Sequence, residues 1–110
     1  MSKVAKINRM LYMLDEFQRD VIKREPVNGD DVLRDISSSM GSIAGSASGT
    51  MWTLFEAVDD GEINMEALIG AMADILWDVA RVAERAGVQL SDVAGYAVDA
   101  HDAKPKSMVN

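Results

Sequence analysis

The stretch Asn64-Met65-Glu66-Ala67-Leu68-Ile69-Gly70-Ala71-Met72-Ala73-Asp74-Ile75-Leu76-Trp77-Asp78-Val79-Ala80-Arg81-Val82-Ala83-Glu84-Arg85-Ala86-Gly87 decides the fold class. Its large apolar residues, Met65, Leu68, Ile69, Met72, Ile75, Leu76, Val79 and Val82, recur at helical spacing, and Ala83 closes the stripe. A strand would alternate instead, so the stretch predicts an amphipathic α-helix. Asn64 is a good N-cap, because its side chain can accept from an orphan amide of the first turn. Gly87 is the expected terminator, since glycine takes the left-handed cap conformation without strain.

Working outward, the rest of the chain has the same character. Val4, Ile7, Met10, Leu11, Leu14, Phe17, Val21 and Ile22 make one apolar stripe and predict a first helix from Val4 to Lys23. Pro26, Asn28 and Gly29 break it. Asp30 or Asn28 is the expected cap of a second helix, with Asp31 in its positive first turn, running to about Val58 and stopping at Asp59-Asp60-Gly61. Ser91 is the expected cap of a short fourth helix from Asp92 to about His101, with Val93, Ala97 and Val98 turned inward. No strand-like alternation, repeat or linker interrupts this order. The chain predicts an all-α four-helix bundle, with short loops making neighbours antiparallel. It forms a single domain over 1–104, with 105–110 as a flexible C-terminal tail.

The bulk numbers bound the function. A chain of 110 residues makes one domain with a thin core. The third-helix stripe from Leu68 to Val82 is too large for such a monomer, so it is expected to pack on the second helix and on a second subunit, as a homodimer or homotetramer. The net charge of −7 argues against a polymeric nucleic acid as partner, because that requires a basic face. It leaves room for a small anionic ligand held by local cations. There are no cysteines, which excludes disulfides and thiolate metal sites. No apolar run approaches the roughly 18 residues of a membrane span. The N-terminus lacks the pattern of a signal peptide, so the cytoplasm is the expected location.

The second helix is unusual. From Ser37 to Thr50 only Met40 and Ile43 are large. Glycine costs about 1 kcal/mol against alanine in a helix interior, so tertiary packing must hold this run. Three readings fit it: close helix–helix packing, a hydroxyl-lined ligand cavity bounded by Trp52 and Trp77, or a hinge at Gly45 to Gly49. Ser38, Ser42 and Ser46 follow each other in steps of four and share one helix face. On the third helix, Asp74 and Asp78 share another face, within helical reach of Arg81 and Arg85. Glu25→Gln, in the first loop, is expected to have little effect on ligand binding.

The order of helices resembles the MazG-like all-α nucleoside triphosphate pyrophosphohydrolases. The resemblance rests on Ala73-Asp74-Ile75-Leu76-Trp77-Asp78-Val79-Ala80-Arg81-Val82-Ala83 followed by Ala86-Gly87-Val88-Gln89-Leu90-Ser91-Asp92-Val93. It covers roughly Met10 to Lys104. It implies a Glu-Glu-x-x-Glu motif on the second helix, at positions that here hold Ser38, Ser39 and Ser42. It implies a Glu-x-x-Asp motif on the third, where Ala71 replaces the glutamate and Asp74 keeps the aspartate. Lys104 stands where the family carries a C-terminal lysine.

In such enzymes, clustered carboxylates hold the magnesium that activates water against a polyphosphate. Serine hydroxyls are poor substitutes. The resemblance therefore implies a nucleotide pocket without metal ligands, with no cofactor and no catalytic residue. It would bind or sequester a nucleotide-type ligand through Ser38, Ser39, Ser42, Ser46, Trp52, Asp74, Trp77, Asp78 and Lys104. Losing four acids also removes repulsion towards phosphate. The alternatives are an active or repurposed pyrophosphohydrolase, which alone would require magnesium, and a structural oligomer without ligand.

Overall fold

The computed structural model describes residues 3–27 and 29–103, and these form four helices without a strand. Asn28, the last residues from Lys104 on, and with them the Lys104 site and the 105–110 tail, lie outside the described residues. The helices are α1 (Lys3–Arg24), α2 (Val32–Asp60), α3 (Met65–Ala86) and α4 (Leu90–Asp102). None is long and apolar enough to cross a membrane.

The ends follow local chemistry. Asn64 caps α3 by accepting from the Ala67 amide at 3.1 Å, and Gly87 ends it at φ 77°. Gly61 ends α2 at φ 75°, its amide reaching the Ala57 carbonyl at 2.7 Å. At the start of α2 the cap is Asp31, which accepts from the Arg34 amide at 3.0 Å, rather than Asp30. Asp31 wins because its carboxylate lies three residues before that open amide, the capping distance.

The start of α4 also differs from expectation. Gln89 is the N-cap and Ser91 already lies inside the helix. Asp92 reaches back to the Gln89 amide at 3.2 Å, a capping-box contact that fixes this register. Ser91 is thereby released to donate its hydroxyl to Asp15 of α1 at 2.8 Å. The inward face of α4 changes with it. Val93 and Val98 are exposed, as is Ala97, while Leu90 is buried. The contacts recorded between α4 and α1 are at its start, where Leu90 and Ser91 meet Gln18 and Asp15.

Two packing units result. In the first, α1 lies against α3 and α4. Val21, Ala80, Ala83 and Leu90 are buried together, with Leu14, Phe17, Ile22, Trp77 and Val79 around them. At their centre is a polar residue, Gln18, only 4% exposed. Its amide nitrogen donates to Glu84 at 3.1 Å and to the Val88 carbonyl at 3.0 Å, and its oxygen accepts from the Leu90 amide at 2.7 Å. Gln18 therefore satisfies one of the orphan amides at the start of α4.

The second unit is the antiparallel α2–α3 hairpin. Among the described residues α2 packs against α3 alone. From 36 to 59 on α2, only Ile36, Ser39, Ile43, Ser46, Thr50, Thr53 and Ala57 are shielded from solvent. They alternate in steps of three and four, which is the seam of a coiled-coil contact. On the first half of α3 the shielded residues are Leu68, Ala71 and Ile75, at the same spacing. Arg85 clips the α1–α2 loop onto α3, pairing with Asp35 at 2.9 Å and donating to the carbonyls of Val27 and Gly29.

Helix α2 is unbroken through its small residues, so no break occurs at Gly45 to Gly49. The close-packing reading does not hold at the glycines. A Cβ built on Gly41, Gly45 or Gly49 would meet no atom within 4 Å. Among the described residues no neighbouring helix approaches these positions.

Candidate functional site

A cleft opens between the C-terminal half of α2 and the N-terminal half of α3. Its volume is about 350 Å³, and it is lined by Ser46, Thr50, Thr53, Asn64, Ala71 and Asp74 together with small and apolar neighbours. The sequence explains why it exists. The α2 seam carries only hydroxyl residues here, and Gly49, Ala67, Gly70 and Ala71 add little bulk, so the two helices leave space between them.

The hydrogen bonds already made decide what the cleft offers. Thr50 donates its hydroxyl to the Ser46 carbonyl at 2.8 Å, and Thr53 donates to the Gly49 carbonyl at 3.2 Å. Both hydroxyl protons are used, leaving oxygen lone pairs as acceptors. Asn64 accepts from the Ala67 amide with its oxygen, so its NH₂ remains as a donor. Asp74 is exposed on the wall and contributes a carboxylate. Among the described residues no lysine or arginine lines the cleft.

The expected site residues are only partly brought together. Ser46 and Asp74 line the cleft. Ser42 lies one turn beyond it, and its hydroxyl donates to Asp78 at 2.7 Å, bridging α2 and α3. Ser39 is buried at 7% exposure, whereas Ser38 faces solvent. Trp52 is 68% exposed, away from the cleft, with its ring edge-on to Phe55 at 6.4 Å. Trp77 is anchored elsewhere, donating its indole N–H to Glu25 at 2.8 Å.

Glu25 does not line the cleft. It is instead the acceptor for Trp77 and the partner of Arg81 at 3.3 Å. Of the two plain readings of Asp74 and Asp78, solvated or salt-bridged, Asp74 meets the first, while Arg81 and Arg85 pair with acids of the first loop and of α2. Thr50, Thr53 and Asn64 were missed as lining residues. A signal for the two threonines was present, since Thr50 and Thr53 follow Ser46 by four and seven residues on one face. Asn64 was read only as a cap.

The donor set was tested against the metal that the resemblance implies. A hard cation requires several charged oxygens converging from more than one side. Asp74 and Asp78 stand on one helix facing serines and threonines, and among the described residues no three acids or histidines converge. The residues present do not fit a magnesium site. Compared with protein-family models, curated proteins and solved structures, the chain matches none.

Proposed function

We propose that this chain binds a nucleotide-type ligand in the α2–α3 cleft, holding it by base and sugar and leaving it uncleaved, on a scaffold of MazG-like design. The observation that carries the reading is the cleft itself. Its volume of about 350 Å³ falls within the range of small-molecule sites, roughly 300–1,000 Å³. Its lining is rich in acceptors, with Thr50, Thr53 and Asp74 beside two donors, the Asn64 amide and the Ser46 hydroxyl. Ribose hydroxyls and exocyclic amino groups are donors and match such a lining. A phosphate is an acceptor and an anion, and it finds neither a cation nor an available hydroxyl proton on Thr50 or Thr53. The phosphate end of the ligand therefore points out of the cleft, towards solvent.

The absence of hydrolysis rests on the same chemistry. Where the resemblance calls for acids, the chain has Ser38, Ser39, Ser42 and Ala71, and Ser42 is engaged with Asp78. A thermal-shift series with nucleosides and their mono-, di- and triphosphates, with and without magnesium, tests the reading. The expected result is a shift that is similar along each series and indifferent to magnesium. At one hundred times its dissociation constant the ligand adds about 2.7 kcal/mol. Thr50→Leu should abolish the shift while the helical signal stays intact. Magnesium-dependent release of pyrophosphate that disappears in Asp74→Asn would overturn it.

A further inference from the structure

The α2–α3 hairpin has a second apolar face that the chain itself leaves open. On α3, Met65, Ile69, Met72, Leu76 and Val79 follow one another in steps of four and three. The first four are 57, 60, 58 and 44% exposed. On α2, Met40, Ala44, Ala47, Met51, Leu54 and Val58 follow the same alternation, and all are exposed. This is the spacing by which a helix meets a partner along a coiled-coil seam. The broad third-helix stripe is thus two seams, one closed against α2 and one open.

Both open seams lie on the same side of the hairpin. Each sits one residue after the shielded seam of its own helix: Ala44 follows Ile43, Ala47 follows Ser46, Ile69 follows Leu68 and Met72 follows Ala71. One residue turns a helix by about 100°. The helices are antiparallel, so equal turns along opposite chain directions bring both seams to one side of the plane through the two axes. Among the described residues, the α3 side chains packed into the core with α1 and α4 are Trp77, Val79, Ala80 and Ala83. An open depression of about 490 Å³ remains over α3, lined only by Ile69, Met72, Ala73, Ile75, Leu76 and Val79.

We propose that this face is covered by a second copy of the chain, with α2 of each copy lying over α3 of the other in a four-helix bundle. Charge points to a like partner. The chain carries −7, but neither open seam contains a charged residue, so a contact here forces no like charges together. Shape points to the crossed pairing. Ser42 bonds Asp78, and Ser46 lines the cleft with Asp74, so Ala44 and Ala47 stand level with Leu76 and Met72. Beside the alanines, Gly41 and Gly45 leave open space where a Cβ would touch no atom. A two-fold axis lying in the face, parallel to the helices, sets the bulky Met72–Leu76 ridge of one copy onto the small Ala44–Ala47 trough of the other. The same rotation repeats the fit at the second site, as an isologous interface requires. The demand for cover is large, since the described residues of one chain fully bury only Val21, Ala80, Ala83 and Leu90 among their apolar side chains.

The chain has no cysteine, so introduced thiols report on the pairing directly. Sedimentation equilibrium of the unaltered chain at micromolar concentration should give a mass of at least two copies, and a monomer there would overturn the proposal. Met72→Glu should weaken association at least about a hundredfold, because it buries an unpaired carboxylate. An unchanged mass would count against this face. Co-expression of Ala47→Cys and Met72→Cys chains, distinguishable by tag, should give a mixed disulfide under mild oxidation, since that bond forms only between Cα atoms closer than about 7 Å. A disulfide between two Met72→Cys chains with no mixed product would overturn the crossed arrangement.

Discussion

The two packing units are finished to different degrees. Where α1, α3 and α4 meet, apolar side chains are buried around Gln18, and each polar atom of that glutamine has a partner within the chain. In the α2–α3 hairpin the seam is made of hydroxyl and small residues, a cleft stands open, and Met51, Phe55, Ile69 and Met72 are all more than half exposed. The difference teaches that one helix can serve two purposes along its length. The C-terminal half of α3 is structural core, and its N-terminal half lines the cleft and carries the open apolar seam.

Substitutions test that division, and the largest effect belongs to the finished end. Leu90→Ala removes a buried side chain and should cost about 3 kcal/mol, read as a lower denaturant midpoint with unchanged slope. A cost under about 1 kcal/mol would show that this end is as loose as the other. Gln18→Leu keeps the volume but strands the Leu90 amide, and should cost about 2 kcal/mol in the same titration. Gly61→Ala forces a left-handed φ of 75° on a residue with a Cβ and should cost about 1 kcal/mol, visible as fraying at the α2 end by amide exchange. Glu25→Gln keeps an acceptor for Trp77 but loses the charge facing Arg81. With the glutamate about half exposed, that pair is screened, and the change should be about 0.5 kcal/mol. A larger loss would make this joint part of the core.

Much of the architecture was legible because it is local. Asn64, Gly61 and Gly87 announce helix ends through their own side chains or their lack of one, and the apolar period of α3 needs no tertiary knowledge. Gln18 was not legible. A glutamine beside Phe17 and near Val21 looks like a solvated position, and only the approach of Leu90, 72 residues away, makes it a core group. Ser91 misled for a related reason: serine is a favoured cap, but Asp15 on another helix claimed its hydroxyl. The stripe on α3 was found, yet its division into two seams depends on which side α2 occupies. At the site, Ser46 and Asp74 follow from helix periodicity. Trp52 was drawn towards the cleft by its chemistry alone, and the helix turns it away.

The Gln18 clamp sets an order of assembly. Helices α2 and α3 are joined by four residues, so they meet early and at small entropic cost. Closing a 72-residue loop to bring Gln18 to Leu90 costs about 4 kcal/mol in chain entropy, so α1 and α4 join late. Until they do, the hairpin stands alone with both its seams and the flank of α3 in water. The clamp thus orders the steps of refolding, and amide exchange pulsed during refolding should show α2 protected before α4.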